Sequence, residues 1–270
     1  MKQKWMIPML AVALVACSSE DDLQNNCGKG TVTFAPEVAS EIAQVETRAT
    51  SGYELPAELI PAGEDFVLAI EGSYLDENNQ TQNYAQSWTS VAAFNLEKPD
   101  LQAGTYTATF TYGDPAAEGV GKAYFTGELA DFAVKASKTT TYPVSCKLAN
   151  SCFTLQVTEW MLNYYDEIQL TIHTATNDFS YTMNSTEVTT LTFICPEQSL
   201  SFSGTAIKSQ NGVAVEFPKT TIGTSTVAAE TLYAISVDHG TAGAGSLTIT
   251  FDDSFTEVEE VEVELNPDVE

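Results

Sequence analysis

The sequence predicts an all-β chain, and three observations carry that prediction. Apolar and β-branched residues alternate in short runs, turn signals recur every 8–12 residues, and no strand–helix–strand alternation interrupts them. Short strands of this kind close into sandwiches or barrels, and a doubly wound enzyme fold is disfavoured. Two tandem β-sandwich lobes are expected behind a short leader and a flexible tether, with a single large sandwich as the alternative. The expected segments are residues 1–16 (leader), 17–29 (acidic and polar tether), 30–148 (first lobe) and 149–270 (second lobe). The boundary lies near residues 146–152, where one extended run meets another.

Thr31-Val32-Thr33-Phe34 alternates and reads as a short strand. Residues 35–64 carry Pro36, Pro56 and Pro61 and read as irregular. Phe66 to Ile70 and Tyr84 to Trp88 read as strands. Gly104 to Gly113 is the clearest strand of the first half. Tyr106, Ala108, Phe110 and Tyr112 share one face and threonines the other, between bounding glycines. Tyr124-Phe125, Phe132 to Val134 and Thr139 to Lys147 follow. In the second half, Phe153 to Val157, Ile168 to Ile172, Phe179 to Met183, Leu191 to Cys195 and Leu200 to Phe202 read as strands. So do Val213 to Phe217, Leu232 to Val237, Leu247 to Phe251 and Val258 to Leu265. Trp160 to Tyr165 is the best helical turn.

The leader sets the expected address. Lys2 and Lys4 precede a short apolar run, Ile7 to Ala16, which holds Pro8 and is about half the ~20 residues a membrane span needs. Leu14-Val15-Ala16-Cys17 then has the layout of a bacterial lipoprotein signal. Leu14, Val15 and Ala16 serve as the recognition residues and Cys17 as the lipidated first residue of the mature chain. Two or more acyl chains make a stable anchor. The acidic run Glu20-Asp21-Asp22 resembles the surface-export signal of Bacteroides-type lipoproteins. The expected location is the outer membrane, lipid-anchored and exposed at the cell surface.

The net charge of −26 becomes −28 when Lys2 and Lys4 leave with the leader. Such a surface argues against nucleic acid, which needs a basic patch, and against docking on anionic lipid. It favours solubility through self-repulsion. Calcium is the sharper alternative, but Asp76-Glu77-Asn78-Asn79 lacks the spacing of a helix–loop–helix calcium site. With Cys17 lipidated, Cys27, Cys146, Cys152 and Cys195 remain. Cys146 and Cys152 lie about 20 Å apart if extended and cannot bridge within one straight strand. Buried free thiols are expected, with a Cys152–Cys195 or Cys146–Cys195 bridge as the alternative. No Cys-x-x-Cys occurs, and no metal or cofactor is expected.

Nothing in the sequence reads as catalysis. His173 sits in a Thr/Ile-rich strand and His239 before a turn, and both read as structural. No His-Glu-x-x-His, Gly-x-Ser-x-Gly or phosphate loop is present. Gly240 to Gly245 reads as a hairpin loop. The acids of Glu257 to Glu264 alternate with valine as the wet side of a strand. Tyr84, Trp88, Trp160, Tyr164 and Tyr165 are the aromatics that could hold a sugar, although most aromatics at strand spacing belong to a core.

Leu101-Gln102-Ala103-Gly104-Thr105-Tyr106, Tyr124-Phe125-Thr126-Gly127 and Cys146-Lys147-Leu148-Ala149-Asn150 occur in this order. They resemble an uncharacterised β-rich family of Bacteroides-type surface lipoproteins, over roughly residues 60–265. That family sits near the fimbrillin-like and cell-adhesion proteins of gut bacteria. The resemblance implies two β-sandwich lobes, of immunoglobulin- or transthyretin-like build, and no catalytic residues. Cys152 and the stretch after Tyr112 depart from the pattern. The expected role is a non-enzymatic binding or adhesion module whose partner is a host glycan or protein. One alternative is a fimbrial subunit. Val45-Glu46-Thr47-Arg48-Ala49-Thr50 resembles the segment where fimbrillin-like precursors are cut after an arginine. Cleavage after Arg48 would remove the strand Thr31 to Phe34 and open a groove for another subunit's strand, with Val258 to Leu265 as the donor. An accessory lipoprotein of an outer-membrane nutrient-uptake system is a further alternative.

Overall fold

The computed structural model describes residues 28–46, 49–223, 226–239, 246–250 and 261–264. The chain runs β1 (Lys29–Val38), β2 (Glu41–Glu46), β3 (Ala49–Glu54), β4 (Val67–Leu75), β5 (Thr81–Trp88), α1 (Val91–Glu97), β6 (Asp100–Gln102) and β7 (Gly104–Tyr112). It continues β8 (Gly119–Val120), β9 (Phe125–Val134), β10 (Thr139–Leu148), β11 (Ser151–Val157), α2 (Glu159–Tyr164), β12 (Tyr165–His173) and β13 (Asp178–Met183). It closes with β14 (Thr192–Ile194), β15 (Leu200–Lys208), β16 (Ala214–Ile222), β17 (Thr231–His239), β18 (Ser246–Thr250) and β19 (Val261–Glu264). The protein is all-β.

Three sheets carry the fold. The first has the order β5-β4-β7-β9-β10-β1-β6. The second runs β19-β18-β17-β11-β14-β8, with the β2–β3 hairpin joined alongside β17. The third is β13-β12-β15-β16. The ladders are antiparallel except β1 with β10, β11 with β17, and β17 with β2.

The second sheet is the middle layer, because its strands alternate between two cores. Cys152 pairs with Leu232 on one side and Phe193 on the other, and this row faces the core of the first sheet. One residue along, Phe153 and Tyr233 turn the opposite way, with Ile194, into the core shared with the third sheet. A strand buried on both faces loses the clean polar alternation of a half-wet strand, and Ser151-Cys152-Phe153 is buried throughout.

Several expectations need correction. Residues 35–64 are not irregular, since β1 runs to Val38 and β2 and β3 form a hairpin. The prolines do not break these strands. Pro36 follows Phe34 by two residues, so its nitrogen faces the same side, which β6 does not reach. On that side the Asn95 side chain takes the place of a strand, accepting from Phe34 N–H at 3.0 Å and donating to Phe34 C=O at 2.8 Å. Asn95 lies on α1, a helix absent from the expectations. Its signal is short. Ser90 caps it by accepting from Ala93 N–H at 3.0 Å, and Val91 and Phe94 bury one face. Phe94 packs on Phe34 and Trp88, with ring centroids 5.3 Å and 4.7 Å apart, closing the end of the first core. Residues 125–134 are one strand, not two; the β7–β9 ladder shifts register between Tyr106 and Ala108, and Asp131 adopts φ +53°. The expected turn at Trp160 to Tyr165 is α2. The flanks of Gly240 to Gly245 pair as β17 and β18, while that loop lies outside the described residues, as do 251–260.

Candidate functional site

The five candidate aromatics separate cleanly. Trp88 is buried, donates Nε1–H to Glu97 Oε2 at 2.9 Å and packs edge-on against Phe94. Tyr84 is half-buried against Tyr106. Tyr165 is buried edge-on to Phe217, and burial pushes its phenol up, helped by the adjacent Tyr164 phenol. Trp160 and Tyr164, by contrast, are 66% and 49% exposed.

The local sequence explains that exposure. Thr158 caps α2 by accepting from Met161 N–H at 3.3 Å, and its own hydroxyl donates to Asp238 on β17. Met161 is fully buried and Leu162 packs on the same core. The helix is therefore seated by 161 and 162. Positions 160 and 164, four apart, share another face. Tyr164 C=O accepts from Ser209 N–H at 3.0 Å, which brings the β15–β16 hairpin alongside. Glu159, Asn163, Asp166, Glu167, Ser209, Gln210 and Asn211 are exposed around the segment. Glu167 holds φ +48° where the β12–β15 ladder shifts register.

A second cluster gathers around Glu118, which the sequence reading did not single out. Oε2 accepts from Thr174 Oγ1 at 2.7 Å, Thr176 Oγ1 at 2.9 Å and Asn177 Nδ2 at 2.8 Å. Oε1 accepts from Cys195 N–H at 2.9 Å and Gln198 Nε2 at 2.5 Å. Partial burial alone would raise this carboxyl, but the donors, led by Asn177, Thr174, Cys195 N–H and Gln198, outweigh it and hold the pKa at about 2. The segment that carries Glu118 then adds β8 to the middle sheet at β14. The cluster is a tie between the first half of the chain and the turns of the second.

On the outer face of the third sheet, His173 Nδ1 lies 2.5 Å from Asp178 Oδ1 and Nε2 lies 2.7 Å from Ser203 Oγ. The connectivity is that of a serine–histidine–acid relay, but its setting is not. The three side chains stand on neighbouring strands of one sheet, and the Asp178 side chain is 68% exposed. Ladder-bonded strands aim no convergent N–H groups at an oxyanion. The group clasps β13, β12 and β15 together.

Other chemistry-bearing residues are committed to structure. Asp76 Oδ1 accepts from Asn78 N–H at 2.8 Å and Gln80 N–H at 2.9 Å, closing the β4–β5 hairpin. Those backbone bonds hold its carboxyl below the usual range. Among the described residues no group of three or more His, Cys, Asp or Glu could hold a metal ion. Cys146, Cys152 and Cys195 are free thiols, the first two buried, so neither alternative bridge forms. Cys146 and Cys152 lie in different sheets yet share the first core, because the chain changes layer at Ala149-Asn150. Asn150, 2% exposed, accepts from Tyr124 N–H at 3.1 Å and donates to Lys122 C=O at 2.8 Å.

Leu14, Val15, Ala16, Cys17 and Arg48 lie outside the described residues. Among the described residues no helix is long and apolar enough to cross a membrane.

Comparison with curated proteins finds no match. Among solved structures, the chain is similar to a protein of Bacteroides eggerthii, provisionally described as a cell adhesion protein. The identity is 12%, the TM-score 0.42, and the match covers 89% of this chain and 95% of that one. A Bacteroides ovatus protein with the same provisional description matches at 8% identity and TM-score 0.42, over 88% of this chain and 99% of that one. The profile of a domain of unknown function, DUF4493, matches residues 28–267, well over half of the chain. The protein belongs to the DUF4493 family.

Proposed function

We propose that the protein is a lipid-anchored cell-surface module that binds or adheres and carries out no reaction. The observation that supports this most is the string Leu14-Val15-Ala16-Cys17 ahead of an acidic run, which addresses an acidic all-β body to the outer membrane. Glu118, His173, Asp178 and Ser203 all serve packing or cross-strand ties, in line with a binding body. The test is metabolic palmitate labelling in a Bacteroides-type host, with protease treatment of intact cells. Label is expected in the wild type and absent from Cys17→Ser, and external protease should remove the protein. Attachment to glycan- or matrix-coated surfaces should fall when the gene is deleted. Unlabelled or shielded protein, or unchanged attachment, overturns the reading.

One observation favours the fimbrial alternative as a second reading. Arg48 lies between β2 and β3, and the residues before it supply β1 to the first sheet and β2 to the second. Cleavage after Arg48 with loss of both strands would bare β10 from Thr139 to Cys146 and β17 from Thr231 to Tyr233. Those are two edges that another subunit's strand could occupy. Residues 258–265 contain β19, an edge strand of the middle sheet and the natural donor. Surface protein beginning at Ala49 and migrating as a ladder of polymers supports this reading; an intact N-terminus without a ladder overturns it.

A further inference from the structure

We infer that Trp160 and Tyr164 form a stacking platform for the ring faces of a neutral oligosaccharide. This inference rests on the binding-module reading above and gives it a site and a ligand class.

The rings are presented rather than merely left over. Met161, Leu162, the Thr158 cap and the bond from Ser209 N–H to Tyr164 C=O hold α2 in place, and the half-exposed Tyr164 ring lies tilted on Tyr165 with centroids 6.3 Å apart. A rigid element presenting aromatic faces loses little freedom when a ligand arrives. The two positions are four residues apart, about 6 Å along the helix axis, on the scale of one pyranose ring. Sugar rings offer apolar C–H faces to aromatic planes and hydroxyls at their edges. Exposed Asn163 stands on the same helix, and Ser209, whose N–H reaches Tyr164 C=O, opens the exposed turn Ser209-Gln210-Asn211, so amides and hydroxyls suited to those edges lie nearby.

Area separates a sugar from a protein partner. A covered Trp or Tyr buries about 150–250 Å². At 66% and 49% exposure, the pair offers on the order of 200 Å². A stable protein interface needs about 800 Å² per partner, whereas one or two sugar rings fit the smaller figure. Charge separates a neutral ligand from an anionic one. Exposed Glu159, Asp166 and Glu167 flank the pair, against one neighbouring cation, Lys208, which stands opposite Tyr165 in the β12–β15 ladder. That field repels uronic, sulfated and phosphorylated ligands and acidic lipid surfaces alike.

The chain without its leader offers a built-in probe, because Trp5 is gone, Trp88 is buried and Trp160 is the exposed indole. It is titrated with cellohexaose, laminarihexaose, mannohexaose and N-acetylchitohexaose while tryptophan emission is followed. Hexagalacturonate and a Lys/Arg hexapeptide run alongside. At least one neutral hexaose should shift the emission saturably. Calorimetric titration, which needs no indole, measures the variants: Trp160→Ala should weaken that binding about tenfold and Tyr164→Ala about fivefold, with unchanged unfolding midpoints and partial retention in Trp160→Phe. The proposal is overturned if no neutral hexaose shifts the emission, if Trp160→Ala binds as tightly as the wild type, or if only the basic peptide or the anionic sugar binds. Cell attachment keeps the two readings apart. Cells carrying Trp160→Ala that attach like wild type, while the deletion does not, overturn the platform and leave the binding module standing.

Discussion

Glu118 accepts a hydrogen bond from the backbone N–H of Cys195 at 2.9 Å, across 77 residues of sequence. Asn177, Thr174, Thr176 and Gln198 complete the ring of donors, so one carboxylate holds two separate turns against the segment before β8. The folded pKa of about 2 lies below the ordinary 4.5. The contribution of this carboxylate to stability is therefore complete above about pH 4.5 and is lost as the pH falls toward 2. Glu118→Gln keeps the shape, removes the charge and turns an N–H₂ toward donors. It should destabilise at pH 7 by about 2 kcal/mol, less than its bonds would sum to because the group is partly exposed and screened. Thermal unfolding from pH 2 to 7 should show a shallower acid limb for the variant than for the wild type.

Asn150 satisfies two backbone groups at the point where the chain changes layer, and it is almost wholly enclosed. Asn150→Ala strands Tyr124 N–H and Lys122 C=O and should destabilise by about 3 kcal/mol in urea titration. Asn150→Asp keeps the acceptor but turns a charge toward the Lys122 carbonyl. Its carboxyl is raised by burial and that contact, so the variant should recover stability as the pH falls through the raised pKa, when the acid donates.

The thiols should report the layering. Burial raises Cys146 to about 11 and Cys152 to about 12, and Cys195 is raised by burial and by nearby Glu118. In a chain with Cys17 and Cys27 replaced by serine, iodoacetamide at pH 8 should modify Cys195 slowly and leave Cys146 and Cys152 unmodified until denaturant is added. Mass spectrometry of the alkylated peptides gives the order directly. Glu118→Gln should speed the Cys195 reaction, since it removes the negative charge that disfavours the thiolate.

The motifs that carry the family resemblance acquire physical reasons in the structure. Gly127 faces Cys146 across the β9–β10 ladder, and a Cβ there would lie 2.6 Å from Cys146 Sγ. Tyr106 is buried and donates its hydroxyl to Gln102 C=O at 2.8 Å. Asn150 ends the third motif as the buried stitch between layers. Their order along the chain could be read without a structure; the fact that they meet around one core could not. β2, β3 and α1 were hidden for local reasons. Prolines flank the first two, and a seven-residue helix with two buried positions gives little periodicity to detect. Glu118 had no signal at all, since its five donors come from 56 to 80 residues away.

Alternation of apolar and polar residues, spaced by turns, determines that the chain is all-β, because a strand with one wet face repeats every second residue wherever it sits. The proposed lipidation signal at Cys17 rests on equally local residues, Leu14 to Cys17. The tertiary structure alone decided that the middle sheet serves two cores at once, as Cys152 and Phe153 face opposite ways. It alone decided which aromatics are sunk and which are shown. Trp88 and Trp160 read alike in sequence, but one is sealed beneath α1 and the other stands clear on α2. Burial depends on what folds over a residue, and for Trp88 that cover is a helix its neighbours do not announce.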